Sequence, residues 1–162
     1  MFRQMRRIKQ LLPEEVAVQI LDRNTSGTLA LLGDDDYPYS LPISYVYADG
    51  KLYFHSAKEG HKIDAIKKSE KVSFCVIDKD EIVSEKYTTY FRSVIAFGKA
   101  HLVEDVEEIR RIARVLAMKY SADFEEGITE EIDSSINHMA IIEMTIDHMT
   151  AKEAIELVNM KK

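Results

Sequence analysis

The stretch His55-Ser56-Ala57-Lys58-Glu59-Gly60-His61-Lys62 gathers a hydroxyl, imidazoles, ammonium groups and a glycine into one short run. A strand ending at His55-Ser56, a glycine-containing turn and the start of a helix would bring the Ser56 donor, backbone amides, an imidazole and the Lys62 charge around a phosphate. Gly60 permits close backbone approach, and Lys62 offers a mobile positive charge. The same residues also make an ordinary basic, solvated turn, and the run alone does not choose between the two readings. A second segment, Pro42-Ile43-Ser44-Tyr45-Val46-Tyr47, alternates so that Ile43, Tyr45 and Tyr47 share one face. Irregular pairing near Pro42 would leave backbone groups free for the polar edge of a planar ring, although a plain hydrophobic strand reads the same way.

Other chemistries find less support. His55 and His61 lie across a turn, while His101, His138 and His148 are scattered, and no HExxH or compact cysteine-histidine set occurs, so no metal site is expected. Cys75 sits within the β-prone segment Val72 to Ile77 and reads as a small core residue rather than a nucleophile. No Walker or Rossmann glycine pattern is present.

These segments need a scaffold, and the 162-residue, 18.6 kDa chain suffices for one domain spanning residues 1–162. A formal charge of −6 argues against a general nucleic-acid binder but not against a local anion site. No apolar run exceeds four residues, far short of a bilayer span, so no membrane partner is expected. The single cysteine suits a reducing compartment, and the basic opening MFRQMRRIKQ lacks the apolar segment of a secretory signal; a cytoplasmic location is expected.

Along the chain, Pro13 to Asp22 reads as a short helix burying Val16, Ile20 and Leu21. Strands are expected at Gly27–Leu32 and Tyr39–Ala48, and Asp49-Gly50 predicts a hairpin into Lys51–His55. Pro42 favours an edge or irregular position. A helix over His61–Lys68 precedes strands at Val72–Ile77 and Arg92–Val103. Asp105 caps a long helix to Tyr120, with Ile109, Ile112, Leu116 and Tyr120 as its apolar stripe. A shorter helix near Thr129 and Ile132 leads to a strand over Met139–Ile146. Thr150 and Glu153 form a capping box for a terminal helix. The sum is mainly β with peripheral helices, best accommodated as a small closed or partly closed barrel.

The order of Met5-Arg6-Arg7, Gly33-Asp34-Asp35-Asp36-Tyr37-Pro38-Tyr39, Pro42–Tyr47, Tyr53–Lys62, Tyr87-Thr88-Thr89-Tyr90-Phe91-Arg92 and Ile95–Gly98 resembles the pyridoxamine-phosphate-oxidase-like, FMN-binding split-barrel superfamily, and within it the Nim nitroimidazole-resistance family. The resemblance implies an FMN-binding split β-barrel with peripheral helices (α+β), forming a homodimer with cofactor sites shared between subunits. It places the FMN phosphate at Ser56, His61 and Lys62 and the flavin ring along Ile43, Ser44, Tyr45 and Val46. His55 becomes the candidate catalytic group beside flavin or substrate, and Tyr90 and Arg92 become further cofactor or subunit contacts. The implied activity is electron transfer from NADH or NADPH through FMN to a nitroimidazole. Reduction of another small electrophile, or flavin or haem binding without turnover, are the alternatives. The full set of basic substrate-binding residues of a pyridoxamine-phosphate oxidase proper is absent.

Overall fold

The computed structural model describes residues 1–162. In chain order its regular elements are β1 (Leu11–Leu12), α1 (Glu14–Arg23), β2 (Ser26–Leu32), β3 (Pro38–Ser44), β4 (Val46–Ala48), β5 (Lys51–Ala57), α2 (His61–Lys68), β6 (Lys71–Val83), β7 (Thr88–Leu102), α3 (Val106–Ser121), α4 (Ile128–Ser135), β8 (Met139–Glu153) and α5 (Ile155–Met160). Asp49 and Gly50 adopt positive φ angles of 55° and 73°, the geometry that turns β4 back into β5. The Asp105 carboxylate accepts the Glu108 N–H, as the expected N-cap of α3.

The expected barrel does not form, and the fold is mixed α/β with one open sheet. Antiparallel ladders join the strands in the order β3-β2-β6-β7-β8-β5-β4, with β1 added on β8, and no ladder links the two ends. The reason lies at the seam. β3 and β4 are consecutive in the chain, separated by Tyr45 alone, and the Tyr45 N–H and C=O bond to the Tyr120 hydroxyl at 2.9 and 2.7 Å instead of to a strand. Pro38 and Pro42 further deprive β3 of donors, which suits an edge strand, and β4 has only three residues.

Alternation sorts side chains to the two faces of the sheet. Leu29, Leu52, Phe54, Phe74, Val76, Val94 and Ala96 pack on one side with Ile20 and Leu21 of α1 and Ile63 and Ile66 of α2. Val46, Tyr53 and Ile141 pack on the other with Ile112 and Leu116 of α3. The long antiparallel pair β6–β7 runs well beyond the tracts expected from sequence, with Asp78 as the extra residue where the register shifts between Ile77 and Lys79. A second shift lies at Phe97/Gly98, where a Cβ on Gly98 would fall 1.8 Å from the Thr145 carbonyl oxygen.

The capping box is also corrected. Thr150 and Glu153 belong to β8, and α5 starts after Ala154. Glu153 is instead buried and paired with Arg92 at 3.1 Å and Lys161 at 2.5 Å. Arg92 also reaches Asp78 at 3.1 Å, and Asp78 in turn holds Arg23 at 2.5 Å and Asn24 at 2.8 Å. This chain of charges ties the end of α1, the β6 bulge, β7 and the C-terminal segment together. No helix is long and apolar enough to cross a membrane.

Candidate functional site

β5 delivers the first group of residues. Its seven-residue register against β8, Lys51 opposite Thr145 through Ala57 opposite Met139, fixes which side chain faces which way. Leu52 and Phe54 enter the core beneath α1 and α2, so Ser56 shares their parity; Tyr53 and His55 take the opposite face, toward α3. His55 is exposed, and its imidazole has no hydrogen-bond partner within the chain. With Ser44 at the end of β3 it lines a cleft of about 370 Å³ against Leu116 and Tyr120 of α3 and Glu131, Ile132 and Ser135 of α4. That volume is in the range of small-molecule sites.

The second group comes from the turn into α2. Gly60 holds φ 126°, a region that favours glycine, and nothing lies within 4 Å of where its Cβ would stand. No side chain caps this helix, so its first-turn amides have no side-chain acceptor. Lys62, in that turn, forms no ion pair, and partial burial pushes its ammonium below the usual lysine range. An unclaimed cation, uncapped amides and an open glycine fit a phosphate.

His61 is occupied differently. Its ring stacks on Tyr39 at 4.1 Å between centroids and 14° between planes, and its Nε2 accepts the Asp34 N–H at 3.3 Å. That bond places a neutral ring's proton on Nδ1. Lys68 also reaches Asp36 at 2.8 Å, so the acidic turn Asp34–Asp36 docks on α2 and sets the helix's position.

Of the segment expected to meet a planar ring, Ser44 is exposed and Ile43 half-buried against the core, whereas Tyr45 and Val46 are buried. The Tyr45 hydroxyl donates to the Leu21 carbonyl at 2.6 Å, and burial pushes it well above the usual phenol range. Lys119 lies over the Tyr45 ring, Nζ 4.0 Å from the centroid, without a hydrogen-bond partner; burial pushes its ammonium down. Tyr90 and Arg92 do not join this group within the chain. They lie on β7, with β8 between them and β5, the Tyr90 hydroxyl accepting from Lys86 at 3.1 Å and Arg92 committed to Asp78 and Glu153. Cys75 is not the core residue expected: it is half-buried on the face of β6 opposite Phe74 and Val76, and burial pushes its thiol up.

Sequence reasoning missed Tyr120, Glu131 and Ser135. Tyr120 falls on the apolar stripe of α3, and nothing in helical spacing tells that its hydroxyl reaches a strand break. The short helix carrying Glu131 and Ser135 was foreseen, but not the face it turns toward His55.

Residues 13–153 match the family described as pyridoxamine 5'-phosphate oxidase. Among solved structures, a candidate 5-nitroimidazole antibiotic resistance protein from Bacteroides thetaiotaomicron is similar at TM-score 0.74 and 21% identity, covering 88% of this chain and 86% of that one. An FAD-binding protein from Mesorhizobium loti is similar at TM-score 0.65 and 24% identity, covering 90% and 97%. An FAD- and haem-binding protein from Mycobacterium smegmatis gives 0.74 and 19%, covering 90% and 73%. No curated protein sequence matches the chain.

Proposed function

Because the chain belongs to the pyridoxamine 5'-phosphate oxidase family, we propose that it is an FMN-dependent oxidoreductase that passes electrons from NADH or NADPH to a small electron-poor acceptor, with nitroimidazoles as its Nim-like substrate class. The observation that carries this reading is the uncapped start of α2, with Lys62 unpaired beside open Gly60, adjoining through β5 a cleft that contains His55. The similarity to the Bacteroides resistance protein favours the nitroimidazole assignment. Bound FMN would supply reversible two-electron chemistry at its ring.

The chain's own residues divide the remaining work. Lys62, Ser56 and the first-turn amides of α2 hold the phosphate, and the exposed edge of β3 at Ser44 meets the ring. His55 orients the acceptor in the cleft and supplies a proton to it. Leu116 and Ile132 give the cleft an apolar wall against which the acceptor packs.

The test is anaerobic reconstitution. Near-stoichiometric FMN binding is expected, with NADH or NADPH bleaching the flavin absorbance and an added nitroimidazole restoring it; over repeated two-electron cycles, three equivalents of NADH or NADPH should be consumed per nitro group converted to the amine and two waters. Failure of FMN to bind, or reduced flavin that no nitroimidazole reoxidises, overturns the assignment; a Soret band without flavin would make the protein a haem carrier.

The working unit is a homodimer with shared cofactor sites. Supporting this, Cys75 pairs with Ile95 across the outward face of β6–β7, and Ile77, Ile95 and Phe97 on that face are 64%, 42% and 40% exposed. Ile95→Glu is expected to convert a dimer into a monomer by light scattering after size exclusion, with the helical and strand content retained. A wild-type chain that elutes as a monomer at all concentrations sinks this reading.

A further inference from the structure

The walls of the His55 cleft carry charge unevenly. Leu116, Ile132 and Met139 make much of the lining apolar, and two of its polar groups are already engaged within the fold. The Tyr120 hydroxyl bonds to the Tyr45 backbone and the Thr25 carbonyl, and the Ser135 hydroxyl donates to the Glu131 carbonyl at 2.7 Å. The polar ends left for a ligand are those of Ser44 and His55 on the sheet and Glu131 on α4. Glu131 is the one carboxylate in the lining, and no lysine or arginine lines the cleft.

Glu131 owes that place to its helix. It stands four residues before Ser135, so the two share one side of α4, while Ile128 and Ile132 anchor the helix against Ala113 of α3. Two nearby carboxylates are neutralised, Asp133 by Arg110 and Glu125 by Arg114, but no cation reaches Glu131. Its charge is left to the cleft, where apolar walls focus the field of a carboxylate more than an open surface does.

We infer that Glu131 sets the charge of the acceptor, so that the cleft takes flat, electron-poor molecules bearing a protonated amine and turns away those bearing a carboxylate. The inference rests on the reading of this cleft as the acceptor site. The two walls then orient the ligand: its ammonium meets Glu131 on the helix wall, and its reducible group turns to His55 on the sheet wall. The reverse pose is opposed, because electrons arriving at the acceptor build negative charge on the reducible group, and a carboxylate beside that group resists the build-up. A neutral nitroimidazole fits the same space without the ionic contact.

Isothermal titration of the full chain, without added flavin, tests it with three non-reducible ligands of similar size: benzylammonium, benzyl alcohol and benzoate. At low salt benzylammonium is expected to bind about fivefold or more tighter than benzoate, with benzyl alcohol between them, because attraction of one ion and repulsion of the other add. Raising the salt to about 0.5 M should narrow the gap. Glu131→Gln should bring the three affinities together, and Glu131→Lys should reverse their order. Both changes fall at an exposed position, and circular dichroism checks that the helices are kept. In the FMN-loaded chain, the ratio of kcat/KM for para-nitrobenzylammonium over para-nitrobenzoate should move the same way in each variant, through KM. No binding of benzylammonium, binding no tighter than that of benzoate, or a preference that survives Glu131→Gln overturns the inference. A charge preference in a chain that never reduces a nitro compound overturns the reductase reading and keeps the cation site; turnover without a charge preference does the reverse.

Discussion

Arg92→Ala is expected to lower the free energy of unfolding by about 3–5 kcal/mol, the range for removing one member of a buried ion pair. The size follows from what is left behind. The Glu153 side chain is 1% exposed and would keep only Lys161, which reaches it from the frayable C-terminal end, while Asp78, 7% exposed, would keep Arg23 and Asn24. Urea denaturation should show a lower midpoint at unchanged slope. A loss below about 1 kcal/mol, the scale of an exposed pair, would mean that the charge chain contributes little to stability. The same cluster sets an acid limit. Its guanidinium partners hold the Asp78 carboxyl well below the usual carboxylate range, so its contribution is complete above that range and disappears as pH falls through the depressed value. In Arg92→Ala, which removes one of those partners, the acid transition should move to higher pH.

The second large effect concerns ligand. Lys62→Ala should weaken FMN binding roughly 10–100-fold, as expected from losing one charge-assisted hydrogen bond to phosphate in a partly desolvated place. Fluorescence titration measures it directly. His55→Ala should leave FMN affinity nearly intact and slow reoxidation by the acceptor instead. Because burial already depresses the Lys62 ammonium, FMN affinity should decline with rising pH sooner than an ordinary lysine would allow, and Lys62→Ala should remove that limb. Unchanged FMN affinity in Lys62→Ala would detach the phosphate from this turn.

Local chemistry was legible in the sequence where one residue type has one use. Asp49-Gly50 specified its turn, Asp105 its cap, and His61–Lys68 its helix, because backbone dihedrals and orphan amides are local constraints. The capping-box reading at Thr150 and Glu153 failed because a buried ion pair, set by residues as distant as Arg92, outweighed a local preference. The open sheet was not legible for a related reason. Whether β3 meets its own far edge depends on Tyr120, far along the chain, claiming the Tyr45 backbone. Within the site, the grouping of Gly60 and Lys62 was readable from spacing; the diversion of His61 onto Tyr39 and Asp34 was not, since it requires the turn Asp34–Asp36 to be placed first.

The two-sided order of β5 also says where this protein tolerates changes in length. One residue inserted between Phe54 and His55 would exchange the imidazole and the hydroxyl between the layers they serve and turn Phe54 or its neighbours out of the interior. One residue inserted among Lys58, Glu59 and Gly60, all exposed, would only lengthen the connector. Loop engineering that aims to widen ligand choice therefore belongs in that connector, with the strand before it kept at constant length.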